Sequence, residues 1–123
     1  MARVVALVPD LLFGSQVQGM LTAGGHEVEL VGDETRLRDR LKEAAAPASA
    51  VLVVDLTTDT LDGLVLVEAL SAEGVLAQTR TLGFYAHVDV AVRERAEQAG
   101  FDLVVPRSRM ARESAALVRR LAG

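Results

Sequence analysis

The sequence predicts a three-layer α/β fold in which five parallel strands form a doubly wound sheet of order 2-1-3-4-5. Three observations lead there. Short β-prone runs alternate with segments of helical periodicity from one end of the chain to the other. Most of those runs are unbroken Val, Leu and Ala, as expected of strands buried on both faces of a parallel sheet. Aromatic residues are scarce, with three Phe and one Tyr among 123 residues, so the core must be aliphatic and the covering helices Ala-rich. The length suits one domain spanning residues 1–123.

Each element has its own signal. Val4–Val8 reads as a buried strand stopped by Pro9. From Leu12, apolar residues recur at helical spacing through Phe13, Val17, Met20 and Leu21, until Gly24-Gly25 ends the helix. Glu27–Val31 alternates like a strand near the sheet edge, and His26 before it reads as a turn residue. Asp33 is a good N-cap for a charged helix with an inner stripe of Leu37, Leu41 and Ala44 or Ala45, closed by Pro47.

Ala50–Val54, ending at Asp55, is the most apolar run and is expected at the centre of the sheet. Leu61–Leu70 reads as the third helix, with Gly74 in the turn beyond it. Thr79–Tyr85 reads as the fourth strand and Val88–Ala99 as a helix with a mostly Ala and Val inner side. Leu103–Val105 is the fifth strand, stopped by Pro106, and Ser108 is the expected cap of a last helix carrying Met110, Leu117, Val118 and Leu121.

Composition narrows function. The net charge of -4, without a basic stripe, gives sequence-independent nucleic-acid binding little electrostatic support, and no nucleic-acid partner is expected. The absence of cysteine removes disulfides, thiol catalysis and cysteine-ligated metals. No signal-peptide core precedes Pro9 and no apolar stretch is long enough to span a bilayer, so a cytoplasmic location and no membrane partner are expected. The single Gly14 after Leu11-Leu12-Phe13 makes neither a P-loop nor a dinucleotide fingerprint.

In a 2-1-3-4-5 sheet the order reverses between strands 1 and 3, and ligands bind outside the carboxyl ends of the strands there. That rim carries Asp10 after strand 1, Asp55 after strand 3, Tyr85, Ala86 and His87 after strand 4, and Pro106-Arg107 after strand 5. A carboxylate pair flanked by a phenol, an imidazole and a guanidinium is the candidate site.

The segment VLVVDLTTDTLDG (Val51–Gly63) and the segment QAGFDLVVPRS (Gln98–Ser108) carry a resemblance that covers essentially the whole chain. In the first, Asp55 is followed eight residues later by the Gly of Asp62-Gly63. In spacing and order the chain resembles the receiver domains of response regulators, which have a flavodoxin-like fold. The resemblance implies that Asp55 is the candidate phosphoacceptor and that acidic residues after strand 1, here Asp10, join Asp55 in holding Mg²⁺. It also implies a small hydroxyl after strand 4 and a Lys after strand 5. This sequence has Tyr85 and Arg107 there, and Pro9 where a second acid is usual. Arg does not replace Lys in a tight pocket, because a planar fork cannot take the place of a compact ammonium.

The reading that follows is a degenerate, or pseudo-, receiver. It is expected to be a stand-alone signalling and interaction module, not an enzyme, with no required cofactor. Its partner would be a protein or a second copy, through the face of helix 4, strand 5 and helix 5. An Asp55–Arg107 ion pair is one arrangement that would take the place of the metal. The alternatives are an atypical response regulator phosphorylated at Asp55, and a small ligand binder or enzyme using Asp10, Asp55, Tyr85 and His87.

Overall fold

The computed structural model describes residues 2–43, 50–58, 62–86 and 89–122. The strands are β1 (Arg3–Leu7), β2 (Glu27–Val31), β3 (Ala50–Asp55), β4 (Thr79–Tyr85) and β5 (Leu103–Pro106), all parallel, in the order β2-β1-β3-β4-β5. Between and after them lie α1 (Leu11–Ala23), α2 (Glu34–Glu43), α3 (Gly63–Ala72), α4 (Val90–Ala99) and α5 (Arg107–Ala122). The predicted fold class and strand order are those observed.

Alternation along β3 explains the three layers. Val51 and Val53 face α1 and α5, where they pack with Val17, Leu21, Phe84, Met110 and Val118. Leu52 and Val54 face the other side and join Leu37, Leu41, Val67, Leu70 and Ala96 from α2, α3 and α4. β3 is buried at every position, as its unbroken apolar run requires. Each fully buried Leu or Val in these two clusters contributes about 1.5–3 kcal/mol relative to its exposed state.

Three motif residues have structural reasons. Gly63 opens α3 so close to β3 that a side-chain carbon there would stand 2.6 Å from a Val54 methyl and 2.9 Å from one of Leu56. Asp102 clamps the edge of β4: its Oδ2 accepts from Thr81 N at 2.8 Å and Thr81 Oγ1 at 3.1 Å. Gly100, at φ 102°, supplies the left-handed residue that ends α4 ahead of that clamp. On the surface, Arg38 ties α2 to the end of α3 by a forked pair with Glu73 at 2.7 and 3.2 Å.

The differences from the sequence reading have local causes. α3 starts at Gly63, not Leu61, because the Asp62 carboxylate accepts from Val65 N at 3.1 Å and is the N-cap. Asp89 does the same for α4, accepting from Val92 N at 3.3 Å, so that helix begins at Val90 rather than Val88. Ser108 is not the cap of the last helix; α5 already includes Arg107, directly after Pro106, which is paired with Tyr85. The strand read at Val4–Val8 is set one residue earlier by its register with β2 and β3. Ala44, Ala45, Pro47, Leu61 and Val88 lie outside the described residues.

His26, read as a turn residue, directly follows the Gly24-Gly25 turn and packs inward. It is buried, its Nδ1 accepts from Ala2 N at 3.2 Å, and its Nε2 lies 3.3 Å from Ala115 O. Because Nδ1 accepts, the proton sits on Nε2 and donates to the carbonyl. The imidazole thus ties the start of β1 to α5, just past a non-helical residue, Glu113 (φ -127°, ψ 15°). Ser114, next to that kink, is fully buried and its Oγ has no hydrogen-bond partner among the described residues.

A buried hydroxyl without a partner costs free energy that a methyl does not. Ser114→Ala is therefore expected to stabilise the fold by about 1 kcal/mol in urea unfolding, with an unchanged m-value.

Candidate functional site

Parallel strands deliver every β-to-α connection to one end of the sheet, and an aspartate caps the helix that follows at four of them. Besides Asp62 and Asp89, these are Asp10 at α1 and Asp33 at α2, whose Oδ1 accepts from Arg36 N at 2.8 Å. The rim is acidic for a local reason: carboxylates satisfy the free N–H groups of helix starts and complement the helix dipole.

Asp10 does more than cap. Its Oδ1 accepts from Leu12 N at 3.0 Å and Phe13 N at 3.1 Å, while its Oδ2 stands 3.4 Å from Arg107 Nη2. The Arg107 guanidinium carbon lies 4.2 Å from the centroid of the Phe13 ring, a cation–π arrangement. Phe13 in turn packs on Phe84 at 5.2 Å between centroids, the planes tilted by 48°. The carboxylate partner of Arg107 is thus Asp10, and the Asp55–Arg107 pair considered from sequence is not the one formed. Phe13 decides this, since stacking on its ring holds the guanidinium beside the start of α1.

Asp55 ends β3, opposite Phe84 in β4, and is 2% exposed. Its Oδ1 accepts from both Thr57 N at 2.7 Å and Thr57 Oγ1 at 2.6 Å, closing a tight turn on the strand end. Tyr85 is also buried, at 6%. Because Asp55 is registered with Phe84, alternation places Tyr85 on the other face of the sheet, opposite Pro106 in β5. Of the sequence-predicted rim residues, the structure links Asp10 with Arg107, places Asp55 and Tyr85 on opposite sheet faces, and does not describe His87, which lies outside the described residues.

Neither Phe13 nor Thr57 figured in the sequence reading of the site. Thr57 was readable in principle, since a hydroxyl residue two places after an Asp at a strand end is a turn signal. No local pattern joins Phe13 to Arg107, because their contact depends on how α1 and α5 pack.

The ionisation of Asp10 follows from its partners. The Phe13 N–H holds its pKa below the ordinary carboxylate value; desolvation, the next largest influence, opposes this, and the Leu12 N–H and the Arg107 charge add to the lowering. A depressed folded-state pKa contributes stability that is complete above the unfolded-state value and is lost as pH falls through the folded one.

No protein-family model matches the sequence and no curated protein matches it. Solved structures do. A response regulator receiver domain from Bermanella marisrubri aligns over 100% of both chains at TM-score 0.85 and 19% identity. The receiver domain of a sensor histidine kinase from Pseudomonas aeruginosa, with a magnesium ion coordinated in its active site cleft, aligns at TM-score 0.78 and 18% identity, covering 99% of this chain and 98% of that one. A chemotaxis response regulator of Vibrio cholerae aligns at TM-score 0.71 and 20% identity, covering 96% of this chain and 98% of that one. The chain has the receiver fold.

A divalent cation of the kind implied by that fold would need oxygen ligands in near-octahedral array. The residues present do not fit it. Asp10 commits Oδ1 to two backbone N–H groups and Oδ2 to a guanidinium, and Asp55 commits Oδ1 to Thr57. Among the described residues no three His, Cys, Asp or Glu side chains gather to hold a metal. Arg107 stands at the rim as a fixed positive charge that would oppose a cation.

Arg107→Ala should raise the Asp10 pKa, followed by carboxyl NMR titration, while leaving it below the ordinary value because both backbone donors remain. A midpoint unmoved by the substitution would show that the contact with Arg107 contributes nothing in solution.

Proposed function

We propose that this receiver-fold chain is a protein-interaction module that works without phosphoryl transfer and is not an enzyme. The observation that carries the reading is the Asp10–Arg107 contact at 3.4 Å, with Arg107 stacked on Phe13. Phosphoryl transfer to a carboxylate needs mobile positive charge arranged around the developing oxyanions, supplied by a metal ion and a flexible ammonium. Here the cation at the end of β5 is a guanidinium already occupied by a carboxylate and an aromatic face. What the rim supplies instead is a permanently set surface, built of helix caps and one charge pair. Among the described residues no helix is long and apolar enough to cross a membrane.

One observation favours a second reading. Asp55 keeps its strand-end position, and only its Oδ1 accepts hydrogen bonds from the described residues. In that reading Oδ2 is a nucleophile and the chain is an atypical phosphoacceptor.

Intact mass after incubation with Mg²⁺ and acetyl phosphate separates the two. The proposed reading expects no added phosphoryl group in the parent or in Asp55→Asn. A labile addition of one phosphoryl group, absent in Asp55→Asn, would establish the second reading.

A further inference from the structure

The outward face of α1 is unlike any other helix surface of the molecule. About a quarter of all residues are charged, yet the 13 residues from Leu11 to Ala23 include none. By contrast α4 exposes Arg93, Glu94, Arg95 and Glu97, and α5 exposes Arg112, Glu113, Arg119 and Arg120. α1 also presents the two most exposed large apolar side chains among the described residues, Leu11 at 80% and Leu12 at 75%. Neither belongs to the core, which takes Phe13, Val17 and Leu21 from the opposite side of the same helix.

The shape of this face specifies its occupant. At about 100° per residue, Leu11, Ser15, Gly19 and Leu12 fall within one sector of about 100°, all exposed. Two large knobs therefore sit at the start of the face. Towards its other end lies Gly19, where a side-chain carbon would meet nothing within 4 Å. Ser15 is four residues from Leu11 and four from Gly19. A second copy of the helix laid antiparallel, with the twofold axis near Ser15, sets each pair of leucines over the glycine gap of the other helix. Knobs at one end and a gap at the other make the face complementary to itself, as an isologous interface must be. Its lack of charge also lets two molecules of net charge -4 meet without like charges being buried.

We infer that the exposed face of α1 is a self-association surface, through which two copies pair by antiparallel α1–α1 packing. This rests on the interaction-module reading and names its partner as a second copy. It moves the interface from the face of α4, β5 and α5, expected from sequence, to the opposite side of α5. Burial of Leu11 and Leu12 supplies the apolar centre that an interface requires.

Sedimentation velocity of the full chain, from micromolar to near-millimolar concentration and without phosphodonor, tests it. The parent should form a reversible dimer. Leu11→Glu combined with Leu12→Glu should be monomeric throughout. Gly19→Gln should also be monomeric while melting at a higher temperature than the parent, because glycine in an exposed helix interior is unfavourable. A monomer that is more stable than the parent excludes misfolding as the cause. Arg112→Glu, on α5, should dimerise like the parent. A parent that stays monomeric, or α1 variants that dimerise as well as it does, would overturn the inference, as would loss of the dimer in Arg112→Glu alone. A parent that dimerises yet is labelled by acetyl phosphate would support this interface while contradicting the phosphorylation-independent reading.

Discussion

The rim of this molecule depends on where the Asp10 carboxylate spends its two oxygens. One closes the start of α1 and the other meets Arg107. Through Phe13, which packs on both Arg107 and Phe84, that contact is continuous with the core and reaches the strand position registered with Asp55. The end of β1 and the start of α5 are thereby joined by a charge pair resting on an aromatic ring. As an exposed ion pair its net contribution to stability is small. Its consequence is positional: a guanidinium and a capped carboxylate share one corner of the rim.

Much of the fold was legible because parallel sheets write plainly. Ala50–Val54 could only be a central strand, and an aspartate stands one residue before the first helical residue of α1, α2, α3 and α4. The misplacements at α3 and α4 came from reading apolar periodicity ahead of capping chemistry: Leu61 and Val88 continue the apolar pattern, but Asp62 and Asp89 hold the caps; α5 was misplaced by reading Ser108 as its cap, whereas the helix already includes Arg107. His26 escaped because its partners, Ala2 and Ala115, are brought to it only by tertiary packing.

The candidate site was legible in outline and not in its pairing. Strand order alone put Asp10, Asp55, Tyr85 and Arg107 at one end of the sheet. Which carboxylate would take Arg107 turned on Phe13, and whether Tyr85 shares a face with Asp55 turned on a register of one residue. Neither is a local property of sequence. The same limit applies to α1: its lack of charge is plain in the sequence, but that Leu11 and Leu12 face outward depends on which side of the helix the sheet covers.

A sheet buried on both faces fixes five strand ends, capping carboxylates fix the helices that leave them, and the remaining positive charge is held in place rather than kept available. The central claim, that Arg107 stands where a cation would otherwise be bound, is tested most directly by amide NMR during a Mg²⁺ titration of the parent chain. The account predicts no saturable shifts at Asp10, Asp55 or Arg107 up to millimolar Mg²⁺. Saturable shifts confined to those three residues would contradict it.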